Sequence, residues 1–89
     1  MNMKIKKAII NAYYNLGEEF LLFPENPLHN TQYENVDIKF KNVIRTMCGI
    51  SFEVDIVEIA GQEPIECQLL GKHKDANGTL IIQICQDWG

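Results

Sequence analysis

No apolar run in this sequence approaches the roughly 20 residues needed to span a bilayer. The densest stretch, residues 20–23, is only four residues long. Cysteine is scarce and odd in number. Cys48, Cys67 and Cys85 make no closely spaced pair of the metal-ligand kind, and three thiols cannot close a disulfide framework. The chain therefore reads as a soluble protein of a reducing, cytoplasmic compartment. Lys4, Lys6 and Lys7 imitate the basic start of a signal peptide, but Asn11 and Asn15 interrupt the apolar segment that should follow. A phosphate-cradling glycine loop, a nucleophile elbow and a His-Glu-x-x-His zinc motif are all missing. So are internal repeats and low-complexity tracts, and no motif ties the chain to a family.

What is present describes one small folded unit. A length of 89 residues suits a single domain with one modest core. With 46% hydrophobic and 22% charged residues, and a net charge of only −4, the composition is globular and not that of a disordered acidic tail.

The longest segment with one consistent period is 31–49. Tyr33, Val36, Phe40, Val43, Ile44 and Met47 fall within one arc of a helical wheel. Thr31 followed by Glu34 reads as a capping box, and Gly49 stands where a left-handed C-terminal cap belongs. Ile38 points away from the arc, and Val36, Ile38 and Phe40 alone suit a strand. Val43 and Ile44 then break the alternation, which favours the helix. Upstream, Ile5, Ile9, Ala12 and Leu16, with Ile10 and Tyr14 beside them, predict a first helix over 3–16, ended by Gly17. Residues 18–23 suit a buried strand or an extended crossing segment before the breaks at Pro24 and Pro27. A stiff loop runs from Pro24 to Asn30, with no core residues expected in it.

After Gly49 the period becomes two. Ile50, Phe52, Val54 and Ile56 alternate with Ser51, Glu53 and Asp55. Ile65, Cys67 and Leu69 alternate with Glu66 and Gln68. Leu80, Ile82, Ile84 and Trp88 alternate with Gln83, Cys85 and Asp87, after a turn at Asn77 and Gly78. The expected fold is α+β: two helices packed on one face of a small antiparallel sheet, made of a three-stranded C-terminal meander and a short strand after the first helix.

Catalytic chemistry finds little support in this pattern. Residues 72–75, Lys-His-Lys-Asp, are the densest ionisable cluster, but a catalytic base must be held rigidly near its nucleophile and hairpin tips are mobile. Asp75, Asn77 and Thr79 echo the first calcium ligands of an EF-hand, yet Leu80 stands in place of the glycine and Gln86 in place of the glutamate. If Cys67 lies on the core face, Cys85 lies on the other. With His29 and His73 in distant loops, no zinc site assembles. The expectation is a non-enzymatic protein without cofactor or metal.

Charge divides along the chain. Residues 1–47 carry six bases and five acids, whereas residues 48–89 carry two bases and seven acids. An acidic sheet face built on Glu53, Asp55, Glu66 and Asp87 should repel nucleic acid and steer a basic partner. On that face Ile81 and Gln83 would join the contact, and the last strand, unprotected by lysine or proline, would offer an edge. The favoured reading is a small interaction or inhibitor protein of the accessory kind, docking a protein partner or a second copy of itself. The alternatives are a nucleic-acid binder using Lys4, Lys6 and Lys7 with Tyr13 and Tyr14, and a minor enzyme or metal protein at residues 72–75.

Overall fold

The computed structural model describes residues 2–86, and every regular element among them is a strand. The strands are β1 (Asn2–Leu16), β2 (Glu19–Leu22), β3 (Gln32–Met47), β4 (Ile50–Ile59), β5 (Ile65–Lys74) and β6 (Leu80–Cys85). They neighbour one another in the order β2-β1-β3-β4-β5-β6, and β6 returns to pair with β1. Five strands thus close a barrel, while β2 is a flap on the far end of β1. Successive barrel strands run antiparallel. An odd number of alternating strands must close on one parallel pair, and that pair is β1–β6, with Ala8 opposite Leu80 and Tyr13 opposite Cys85.

The two-helix, α+β expectation is therefore overturned at residues 3–16 and 31–49, which are β1 and β3. The physical reason lies where the inward face changes phase. Ile5 and Ala8 are buried while Lys6 and Lys7 between them are both exposed. Opposite them, Tyr33 and Val36 are half-buried while Glu34 and Asn35 are exposed. The β1–β3 ladder skips Lys6 and Asn35, and Asn35 takes a left-handed φ of 53°. Each strand thus acquires one inward spacing of three residues, which copies a helical period. Ile38, the misfit on the helical wheel, is fully buried in the core.

The supposed helix ends are hairpin turns. Gly17 (φ 77°) begins the two-residue loop between Leu16 and Glu19. Cys48 (φ 54°) and Gly49 (φ 79°) form the loop between Met47 and Ile50, and positive φ at both positions is the signature of a type I′ turn. Thr31 with Glu34 caps nothing, because Thr31 leads into β3. Residues 19–22 are indeed a strand, but an exposed one.

The three C-terminal strands lie in the segments that alternate, yet the sheet is not open on one face. It rolls into a barrel whose interior holds Ile5, Ala8, Ile10, Ala12, Ile38, Val57, Ile59, Ile65, Cys67, Leu80, Ile82 and Ile84. Alternation places these on one face of each strand, and closure buries them against one another. Phe40 and Leu69 pack against this core, and the Lys72 ammonium sits 4.0 Å above the centre of the Phe40 ring. β6 is not an edge strand, since it pairs with β5 on one side and β1 on the other.

The loop between β2 and β3 is stitched into the structure. Asn26 is buried, accepting from the Leu28 N–H at 2.9 Å and donating to Gln86 Oε1 at 3.1 Å. Gln86 in turn donates to the Glu66 carbonyl at 3.1 Å. Leu28 packs on the core, contrary to the expectation of a coreless connection.

Candidate interaction site

Two hairpins outrun the barrel, from opposite ends of the β1–β3 ladder. β3 pairs with β1 only as far as Lys39, opposite Asn2, so residues 40–47 continue past it with β4 as their companion. At the other end, residues 13–16 of β1 carry β2. Toward the tip of a projecting hairpin the barrel core is out of reach, and large apolar residues there stay exposed. On the β3–β4 arm these are Ile44 (61%), Met47 (62%) and Ile50 (68%). On the β1–β2 arm they are Leu16, Phe20, Leu21 and Leu22, with Tyr14 and Phe23 stacked edge to face at 5.6 Å nearby.

The β3–β4 arm carries a second feature. β5 joins β4 only at Val57, Ile56 and Asp55, and then turns away to β6. Asp55 marks the parting: one carboxylate oxygen accepts from Asn42 Nδ2 at 2.9 Å, and the other accepts from the Leu69 N–H at 2.9 Å. A bulge at Leu70 completes the departure of β5. Among the described residues, β5 thus offers no ladder partner to residues 50–54. A groove of about 840 Å³ opens there, lined by Arg45, Thr46, Met47, Phe52, Glu53, Val54 and Glu66. Arg45 Nε reaches Glu66 Oε1 at 3.0 Å across it, and Lys41 pairs with Glu58 on the same face of the hairpin. Lys41 holds the Glu58 carboxyl below its ordinary range, by hydrogen bonding first and by charge second.

The residues expected to form an acidic contact face are dispersed. Glu53 and Glu66 border the groove, both exposed, and Glu66 is neutralised by Arg45. Asp55 is half-buried, its carboxylate engaged by Asn42 and Leu69. Ile81 and Gln83 lie half-buried on β6, and Gln83 Nε2 donates to the Tyr13 hydroxyl at 3.1 Å. Asp87 lies outside the described residues, as does Trp88. Cys85, opposite in phase to Ile84, is buried too.

Of the groups weighed for catalysis or metal binding, His29 and Asp75 have structural duties. His29 Nδ1 accepts from the Ala12 N–H at 3.0 Å. His73 is exposed on β5, opposite Ile81. Asp75 Oδ1 accepts from the N–H groups of Asn77 and Thr79 at 2.8 and 3.0 Å, so the would-be calcium ligand holds a turn. Of that turn's two expected left-handed residues, only Gly78 has a positive φ. Among the described residues no cluster of three His, Cys, Asp or Glu side chains is placed to hold a metal ion.

The exposed residues Ile44, Met47 and Ile50 were not among those expected at a contact. The signal was Cys48-Gly49 between two runs that both tolerate strand geometry, a two-residue hairpin signature hidden by the helical spacing before it. No family model, curated protein or solved structure matches this chain.

Proposed function

We propose that this chain is a non-catalytic interaction protein that docks a protein partner through the projecting β3–β4 arm. The observation that supports this reading is the coincidence, on one hairpin, of three largely exposed aliphatic side chains with a strand edge, at residues 50–54, that has no ladder partner beyond β3 among the described residues. Isolated exposed apolar residues are ordinary, but Met47 and Ile50 are cross-strand neighbours on one face of the hairpin, with Ile44 on the other, and exposed apolar residues beside a free strand edge are how proteins present a surface for strand addition. The ionisable groups Lys41, Glu58, Arg45, Glu66 and Asp75 are engaged in pairs and a turn, which suits binding better than turnover.

The three free thiols support a reducing, cytoplasmic setting. Among the described residues no helix is long and apolar enough to cross a membrane.

The test is capture of partners from host extract with the wild type and an Ile44→Lys, Met47→Lys variant. Loss of specific capture with an unchanged melting curve supports the arm as the docking element. Identical capture by both proteins removes it.

A further inference from the structure

We propose that the free edge of β4 is a homodimerisation edge, taking a second copy of this chain in antiparallel register about a two-fold axis through Phe52. The proposal rests on the docking reading above and names the partner.

The argument is one of phase. The two-residue Cys48-Gly49 loop makes Met47 and Ile50 the hydrogen-bonded pair that closes the hairpin. Alternation then makes Arg45–Phe52 and Val43–Val54 hydrogen-bonded pairs as well. The backbone groups of Ile50, Phe52 and Val54 are thus spent on β3, and those of Ser51 and Glu53 point to the other edge. This is the edge at which β5 takes Asp55 and Val57 and no residue before them.

A two-fold axis at Phe52 sets Ser51 of each copy opposite Glu53 of the other. Both residues then exchange N–H and C=O with their counterparts, giving four backbone hydrogen bonds with no group out of phase. Slipping the register by one residue would aim backbone groups already bonded to β3 at the incoming strand, and moving the axis to Ser51 or Glu53 would match an edge residue with Gly49 of the turn or with Asp55, which β5 already holds.

Side chains agree with the same register. Phe52 meets Phe52 as a non-hydrogen-bonded pair, where side chains approach most closely, and the exposed Ile50 comes opposite Val54, which the single chain already buries. Ser51 opposes Glu53, so no two carboxylates face each other directly. Within residues 44–53 the charges are Arg45, which pairs with Glu66, and Glu53, which this register sets opposite a serine. Each copy therefore brings one carboxylate to the contact, a small part of the repulsion that the net charge of −4 imposes on the chains as a whole. The groove between β4 and Glu66 is the space the second strand enters. The contact is isologous, so it closes at two copies instead of propagating.

Sedimentation over a range of concentrations is expected to show a reversible monomer–dimer equilibrium. Glu53→Pro removes an edge donor while sparing the ladder to β3, and should weaken dimerisation at least tenfold at an unchanged far-ultraviolet spectrum. Cross-linking reads the axis independently. In a Cys48→Ser background, Phe52→Cys should oxidise to a disulfide-linked dimer, because residue 52 alone faces itself, and Ile50→Cys should do so far less. A wild type that stays monomeric throughout, or equal cross-linking at 50 and 52, overturns the proposal. If a monomeric wild type still loses a captured partner on Ile44→Lys, Met47→Lys substitution, the two-fold edge is wrong and the docking arm stands. If it is monomeric and capture is unaffected, both fall.

Discussion

The backbone N–H of Ala12 donates to Nδ1 of His29 at 3.0 Å, so an imidazole takes the place of a strand partner on the edge of β1. Above this point β1 pairs with β2, and below it Ile10 exchanges hydrogen bonds with Asn30 and Thr31. The bond fixes the tautomer, since an accepting Nδ1 leaves the proton on Nε2. His29→Ala orphans the Ala12 N–H and should cost about 1–3 kcal/mol, the usual penalty for an unpaired buried donor. Urea unfolding at constant m-value measures it. A loss below about 0.5 kcal/mol would mean that water replaces the ring without penalty.

Asp55 ties three strands together where the β4–β5 seam ends. Asp55→Ala should destabilise the fold by about 1–3 kcal/mol and speed amide exchange at Leu69 ahead of the rest of β5. Asp55→Asn keeps an acceptor for one of the two bonds and should fall between. Uniform exchange along β5 in both variants would show that the carboxylate does not hold the seam.

Cys67 is fully buried, and its thiol is pushed up to about 12, by desolvation first and by Asp55 and Cys85 next. In the unfolded chain it ionises near 9.0. Between those values the unfolded state binds fewer protons than the folded one, so its stabilising contribution is whole below about 9 and is lost as pH rises toward 12. Cys67→Ala should flatten part of the alkaline decline in melting temperature. Tyr33, raised by desolvation, adds to the same decline and remains in the variant. In the native protein a thiol reagent should modify exposed Cys48 alone.

Two glycines should respond differently to alanine. At Gly49 the φ of 79° is left-handed and nothing stands within 4 Å of an added Cβ, so Gly49→Ala should cost about 1–2 kcal/mol through the backbone alone. At Gly71 the added Cβ meets Gln83 Oε1 at 3.1 Å, the movable end of a side chain. Gly71→Ala should therefore displace that amide and loosen its bond to Tyr13, costing about 0.5–1.5 kcal/mol, the net worth of one hydrogen bond. Thermal melts of the two variants separate the cases, and a near-neutral Gly49→Ala would refute the turn assignment.

β5 and β6 were legible because Ile65, Cys67 and Leu69, and Leu80, Ile82 and Ile84, keep the inward face in phase. β4 was legible as a strand but not in its facing: its core residues are Val57 and Ile59, on the opposite face from Ile50, Phe52, Val54 and Ile56. β1 and β3 were not legible as strands, for two separate causes. At Lys6-Lys7 and Glu34-Asn35 the inward face slips phase, and periodicity alone cannot tell such a slip from a helical turn. At Val43-Ile44 alternation fails for the opposite reason: the arm has left the barrel, so neither face is required to be polar. Barrel closure was equally hidden, because the pairing of β1 with β6 depends on residues remote in sequence. The acidic face failed as a unit because Arg45 and Asn42 consume two of its carboxylates.

The parallel pairing of β1 with β6 also orders events in time. Its partners stand at the two ends of the described chain, so the seam carries the largest loop-closure entropy in the molecule and a high contact order slows its formation. The β1–β2 and β3–β4 hairpins, each closed by two residues, carry the smallest and form first. The segments that keep exposed apolar side chains in the finished barrel are therefore also the earliest to take shape. A nascent chain displays them to its neighbours well before its last strand arrives to shut the wall, and it is during that interval that aggregation competes with folding.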